Sequence, residues 1–535
     1  MDSFIRQKTG LALLLLTAVF SLPFAGQAFH IDDRLYLEVA EHSLENPFFP
    51  YDSPLLFEGL EAPDGASHSH LPLTVYYMAF IMLLTGGGQE WIFHLFFMVF
   101  PLIAAFSFYD LARRYVASPM LAAFLLLASP AFLTLSHNLM TDVPLLAFWI
   151  LAISRYMRII DGEGKRMDMA VLGAALLCSA FISMLTMGLV ILLASGLVMR
   201  RRPGLFGGTQ FPAERPPGEA KTPYFYPPAW AWWLLLLLPV ILWIAWYGRA
   251  WLHYDRLVLA NTLMHMGQRE TLDLSLIVTK LLSFFLNTGG IFFFPLLVWA
   301  VPRDRKGWIF AIVVLVASMA APFLLLPGWL LVHKLLLILF LTSGLLLAGA
   351  AVRHAFTFRS RDLLLSFWFF GILAICLVLF YSGSARYVLL ALPPSLLIIL
   401  KRLESGFKSG NLPGRLLIPL VAATLAYSLP VSYADYEFAE AYRTSSGKLH
   451  EKYQSPEKTV WYTGEWGFRY YMEQNGGRIM ARTDAGAEPG DIIIKPYIAS
   501  PWVTLYDSDE YTRLIEQVPV EVRLPLRILD FSSHA

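Results

Sequence analysis

Apolar stretches long enough to cross a bilayer recur from Leu11 to Pro430, and they leave little room for anything but a multi-pass membrane fold. Candidate spans lie at about residues 10–28, 90–110, 118–135, 143–157, 169–184, 186–199, 229–248, 276–301, 308–326, 335–352, 363–381, 387–400 and 414–431. Composition agrees: 57% of the 535 residues are hydrophobic and 15% charged, whereas a soluble domain is nearer half and a quarter. The 41 Lys and Arg against 40 Asp and Glu give a net charge of +1, so no bulk field draws nucleic acid. Cys178 and Cys376 sit in apolar segments and supply no disulfide framework.

Lys and Arg set the expected orientation, because cytoplasmic loops are enriched in them. One set of loops carries Arg113-Arg114, Arg155 with Arg158, Arg200-Arg201-Arg202, Arg303 with Arg305 and Lys306, Arg353 with Arg359, and Lys401-Arg402. The opposite set carries little beyond Arg34, Arg249, Arg256, Arg269, Lys334 and Arg386. The first set is therefore assigned to the cytoplasm. Residues 72–86 would reach roughly 22 Å as a helix, short of the ~30 Å hydrocarbon core. They open on Pro72, end at Gly86-Gly87-Gly88 and are expected to lie in the outer interface. The expectation is an α-helical polytopic membrane protein of about thirteen spans. Its membrane module covers 1–431, with interfacial helices in a first outer loop at 29–89. A small α/β extracytoplasmic domain covers 432–535, with strands near 459–462 and 491–494 and helices over 433–452 and 509–517. The first span is read as retained, although Arg6, Lys8, an apolar run and Gly26-Gln27-Ala28 would also suit a cleaved signal peptide.

The spans are nearly free of charge, which disfavours a transport path through polar-lined helices. Acidic and His residues gather in two outer loops. Asp32-Asp33 follows the first span and opens an amphipathic segment, Leu35 to Leu44. Two readings stand: an N-terminal helix cap, or a general base held above the headgroups. The next outer loop reads His137-Asn138-Leu139-Met140-Thr141-Asp142. His68-x-His70 with Glu58, or His137 with Asp142, falls short of a metal ligand set, and no metal is expected.

The pattern Asp32-Asp33-x-x-Tyr36-x-x-x-Ala40 resembles the Asp-Glu-x-x-Tyr-x-x-x-Ala signature of GT-C glycosyltransferases. It is most similar to that of the bacterial lipid A aminoarabinose and galacturonic acid transferases and the protein O-mannosyltransferases. His70-Leu71-Pro72-Leu73-x-x-Tyr76, Met140-Thr141-Asp142-Val143-Pro144-Leu145 and Ser384-Ala385-Arg386-Tyr387 resemble three further family motifs, in family order. The resemblance implies an inverting enzyme that takes sugar from a polyprenyl-phosphate donor at the outer face of the plasma membrane, the inner membrane in bacteria. The acceptor is a lipid, a glycan or a protein. No cofactor, metal or nucleotide is required, and the chain is expected to act as a monomer with its C-terminal domain in the periplasm.

The resemblance places Asp32 as base, Asp33 as its backup and Asp142 as the second-loop acid. It assigns the donor phosphate to Arg386, Tyr387, His70, Lys334 and Lys280, although His70 stands where the family often has Lys. Tyr36, His68, His137 and Asn138 become candidates for the acceptor pocket. The rival functions are a lipid-sugar flippase or transporter, an O-antigen ligase or polymerase, and a non-catalytic scaffold.

Overall fold

The computed structural model describes residues 2–66, 71–201, 227–259, 274–291, 305–325, 328–356, 360–379, 384–408, 416–455, 458–508, 510–521, 523, 524 and 526. His68 and His70 lie outside them. The chain is predominantly helical. Among the described residues, eight helices are long and apolar enough to cross a membrane: Gln7–Phe24, Glu90–Ala112, Asp142–Ile160, Ala229–Tyr254, Arg305–Leu324, Leu331–Ala355, Asp362–Leu379 and Leu417–Tyr453. The other expected spans correspond, over their described residues, to shorter pieces, and residues 292–301 of the expected span 276–301 lie outside the described residues. Residues 118–135 divide into helices Pro119–Leu127 and Pro130–Leu135, each opening on a proline, as suits the first helical turn. Helices Arg166–Ala180, Thr186–Arg201, Leu274–Gly290 and Leu392–Lys408 have 15 to 17 residues. At about 1.5 Å per residue, each falls short of a ~30 Å core when upright.

The chain forms two compact units. One comprises Met1–Ala18, Phe100–Leu133 and Asp142–Ser428; the other comprises Val19–Val99, Thr134–Thr141 and Leu429–Ala535.

In the first unit, backbone contact between two helices replaces side-chain interdigitation. A Cβ on Gly289 would stand 1.8 Å from the Phe340 carbonyl oxygen, and one on Gly344 would stand 2.0 Å from that of Phe285. Only glycine fits there. Small residues that let helix backbones touch are a device of membrane packing, where lipid offers no hydrophobic drive for helix association. The basic residues of the expected cytoplasmic loops are tied down by carboxylates. Arg155 bridges Asp110 at 3.5 Å and Asp168 at 3.2 Å, Arg114 bridges Asp161 and Glu163, and Lys401 bridges the buried Asp362. Glu404 accepts the amides of Ala117 and Ser118, the last before the Pro119–Leu127 helix. A carboxylate there satisfies orphan donors and complements the helix dipole.

In the second unit, helix Asp33–Glu45 packs against helices Leu73–Thr85 and Trp466–Gln474. The Leu73–Thr85 helix ends at Gly86 in the left-handed conformation, as a glycine stop should. Strands Leu55–Phe57 and Leu60–Ala62 form a two-residue hairpin in which Glu58 and Gly59 both have positive φ, 49° and 73°, the signature of a twist-matched tight turn. Strand Val460–Tyr462 lies between Arg478–Ile479 and Ile492–Ile494, parallel to both. Its core gathers Ala28, Ala439, Tyr442, Tyr462, Phe468 and Met472. The expected helix at 509–517 does not form, since residues 510–517 are turn and coil.

The glycine contact makes two substitutions diverge. Gly344→Ala places a methyl group against the Phe285 backbone and should destabilise the protein by about 1–3 kcal/mol, seen as a lower melting temperature in detergent. Gly371→Ala, with nothing within 4 Å of its Cβ position, should leave that temperature level or slightly higher.

Candidate functional site

The two adjacent carboxylates of the first loop have different surroundings. Asp33 is the first residue of its helix and is fully buried. Its Oδ2 accepts the His30 amide at 2.8 Å, and its Oδ1 accepts the Leu139 amide at 2.9 Å. It thus staples the first outer loop to the second. Burial pushes its pKa up to about 7 from an ordinary 3.8, and the two amide donors and His30 only partly offset that rise. Asp32 occupies the N-cap position, but its carboxylate makes no capping hydrogen bond. It is partly exposed. Helix capping is therefore not the work of Asp32, and the structural role falls to Asp33.

The residue before the pair is strained. Ile31 has φ of 44°, a left-handed conformation that a β-branched side chain rarely adopts. Such strain persists only where the surroundings over-determine it. Here the turn is closed twice, because the Asp33 amide also donates to the His30 carbonyl at 3.0 Å.

The other first-loop and second-loop candidates lie inward. Tyr36, His137 and Asn138 are buried. His137 stacks on Phe24 with ring centroids 4.0 Å apart, and its Nε2 lies 3.3 Å from the Phe20 carbonyl. Burial pulls its pKa down to about 3, so the ring is neutral. Asn138 accepts the Gln27 side-chain amide at 2.9 Å. The structure thus gives His137 and Asn138 the work of joining the two loops.

The remaining candidates lie in the other unit. Asp142 opens helix Asp142–Ile160, and its Oδ2 lies 3.4 Å from Arg386 Nε. Both side chains are partly exposed, at 16% and 22%, so the pair can still meet a polar ligand. Ser384 caps the short Ala385–Val388 helix through the Arg386 amide, and the Arg386 guanidinium lies 5.8 Å from the centre of the Tyr387 ring. Helix Leu274–Gly290 packs beside that turn. Lys280 on this helix donates to the Leu377 carbonyl at 3.3 Å. Lys334 is buried, with its ammonium 5.0 Å from the centre of the Phe323 ring. Among the described residues, no group of three His, Cys, Asp or Glu is placed to hold a metal.

Sequence reasoning missed Gln27, His30, Ser432 and Asp435. His30 Nε2 lies 3.1 Å from Asp435 Oδ1 in the core, and Ser432 Oγ lies 3.0 Å from Thr134 Oγ1. The available signal was the buried stripe Ser428, Ser432, Asp435, Ala439, Tyr442 and Ser446 on helix Leu417–Tyr453. It repeats every three or four residues but is too polar to register as apolar periodicity.

Residues 67–207 match the family model of dolichyl-phosphate-mannose-protein mannosyltransferases. This bears out the resemblance read from motif order and identifies the segment as glycosyltransferase-like. Comparison with curated proteins returns no match. Among solved structures, the chain is similar to the archaeal oligosaccharyltransferase AglB of Archaeoglobus fulgidus, in complex with an inhibitory peptide and a dolichol-phosphate. The identity is 14% and the TM-score 0.47, over 89% of this chain and 64% of the other. It is also similar to ArnT of Cupriavidus metallidurans bound to undecaprenyl phosphate, at 14% identity and a TM-score of 0.40, over 92% of this chain and 90% of that one. The chain thus spans somewhat less than two thirds of the oligosaccharyltransferase's length.

Asp33 generates a stability prediction with a definite sign. Its folded pKa is raised, so the folded state holds the proton more tightly than the unfolded chain. The contribution is full below about pH 4 and is lost as pH rises through about 7. Asp33→Asn should remove this slope from the melting temperature between pH 4 and 7. Its NH2 must also face one of the two amide donors, which should lower stability by about 1–3 kcal/mol. Superimposable melting curves against pH for the two proteins would contradict the assignment.

Proposed function

We propose that the chain is an inverting glycosyltransferase that moves a sugar from a polyprenyl-phosphate donor to a lipid, glycan or protein acceptor at the outer face of the plasma membrane. The observation that carries the reading is the division of labour at Asp32-Asp33, on the family signature beside the matched segment 67–207. One carboxylate is buried and doubly hydrogen-bonded, and its neighbour is partly exposed without capping its helix. A partly exposed carboxylate on a turn closed by its buried neighbour suits a general base.

In this reaction Asp32 takes the proton of the acceptor hydroxyl or amine as that group attacks the anomeric carbon. The bond from that carbon to the lipid phosphate oxygen breaks on the opposite face, configuration inverts and polyprenyl phosphate departs. The resemblance assigns the donor phosphate to Arg386 in the other unit, a guanidinium suited to charge-assisted hydrogen bonds with phosphate oxygens. Asp142 stands beside that guanidinium as its ion-pair partner at 3.4 Å. General-base assistance supplies about 10²–10⁴-fold. Positioning and stabilisation of the leaving charge supply the rest.

Membranes containing the wild-type chain should transfer sugar from a defined polyprenyl-phosphate donor with no nucleotide present. Asp32→Asn should lower kcat by at least about 10²-fold at an unchanged melting temperature. Arg386→Ala should mainly raise the donor KM, and Asp142→Asn should act in the same direction more weakly. Full activity in Asp32→Asn would overturn the assignment of the base.

A further inference from the structure

We propose that His30 and Asp435 form a positioning pair that sets Asp32, with helix Leu417–Tyr453 as the brace behind the turn. The inference rests on the glycosyltransferase reading above. His30 Nε2 and Asp435 Oδ1 are 3.1 Å apart, with side chains 0% and 3% exposed. Burying a carboxylate is costly. Here it meets an imidazole from the turn that carries the carboxylate pair.

The path from Asp435 to Asp32 is short. The imidazole is anchored by Asp435 and flanked on the same helix by the rings of Phe438 and Tyr442, with centroids 5.1 and 5.8 Å away. The backbone of the anchored residue then closes the turn in both directions. The His30 amide donates to the Asp33 carboxylate, and the His30 carbonyl accepts the Asp33 amide. Ile31 is held left-handed between them, and Asp32 lies within this doubly closed turn. Release of the His30 ring lets the strained Ile31 relax, which re-aims Asp32.

The same helix holds the second loop. Ser432 is joined to Thr134 at 3.0 Å, and that loop returns to the turn through the Leu139 amide on Asp33 and through Asn138 on Gln27. Helix, second loop and turn therefore form a closed ring of contacts. Asp435 touches no reacting atom in this account. It acts through His30.

The test is a double-mutant cycle on the full-length protein in detergent or nanodiscs, using the polyprenyl-phosphate sugar that the wild type accepts. Asp435→Ala and His30→Ala should each lower kcat by about 10–100-fold, the scale of a misplaced catalytic group, with donor KM nearly unchanged. The double variant should be no slower than His30→Ala, because coupled groups are not additive. Asp435→Asn, which still accepts the imidazole N–H, should recover most of the rate. Amide hydrogen exchange gives a second readout: Asp435→Ala should speed exchange over residues 31–36 and leave 466–474 as in the wild type. If Asp435→Ala does not fold, Asp435→Ser and His30→Gln carry the same comparison.

A wild-type kcat in Asp435→Ala, losses that multiply in the double variant, or unchanged exchange at 31–36 would overturn the brace. Asp32→Asn in the same assay separates the two ideas. Full transfer by that variant overturns the base itself. Its loss beside an unimpaired Asp435→Ala overturns the brace alone.

Discussion

The second unit is organised around one carboxylate that accepts two backbone amides more than a hundred residues apart. Asp33 receives His30 on one oxygen and Leu139 on the other. Neither amide is satisfied within a helix, and both would be costly to bury without a partner. Three stretches that are distant in sequence, 19–99, 134–141 and 429–535, belong to this unit. The residues that join them are largely polar and buried: Gln27 with Asn138, His30 with Asp435, and Thr134 with Ser432. Hydrogen bonds fix direction and register in a way that apolar contact does not, because each unmade bond inside a dry core carries its full desolvation cost.

The C-terminal segment extends the same logic outward. Arg469 is buried against Glu465 and reaches Glu473, which also holds Arg34 of the first-loop helix. Glu465 accepts the amide of Glu58 at the hairpin tip, and Arg482 donates to the Glu58 carbonyl. A Cβ at Gly59 would fall 2.4 Å from the Trp502 ring. The hairpin of the first loop and the segment 465–502 therefore fold as one body. Composition changes after residue 431, and these contacts tie the polar segment that follows to the first loop. Polarity changes where the chain leaves the lipid, whereas packing follows which loops the tail has to cover.

The long helices were legible because eighteen or more apolar residues have few other places to go. Strands 460–462 and 492–494 were legible from short β-branched and aromatic runs. The hairpin at 55–62 was not, because its turn depends on a left-handed Glu58 as well as Gly59, and glutamate does not advertise that conformation. Residues 509–517 were expected to be helical, and this stretch carries Leu514 and Ile515, with Val518 just beyond it. Those side chains are 72, 63 and 49% exposed, so the segment has no face to bury and lacks the packing that stabilises most helices. At the site, Asp32-Asp33 and Arg386 could be picked out by type and position. The inward placement of His137 and Asn138 could not, since Phe24 and Gln27, which bury them, lie over a hundred residues away. Asp435 escaped notice because its helix face is a stripe of Ser, Ala, Asp and Tyr rather than Leu or Ile.

A pair of adjacent carboxylates solves a problem that one cannot. A base that also closes a turn is desolvated by that role: burial raises its pKa and its oxygens are already occupied, as at Asp33. A base on an unanchored loop keeps its oxygens open but loses the fixed aim that proximity catalysis needs. In the proposed reaction, consecutive placement would let Asp33 absorb the cost of burial while Asp32, one peptide away, shares the rigidity of the turn. The left-handed Ile31 is consistent with this division, because the turn must be held by forces strong enough to impose a conformation that a β-branched residue resists. On this argument the order of the pair matters as much as its charge. Exchanging which carboxylate is buried would point the partly exposed one elsewhere.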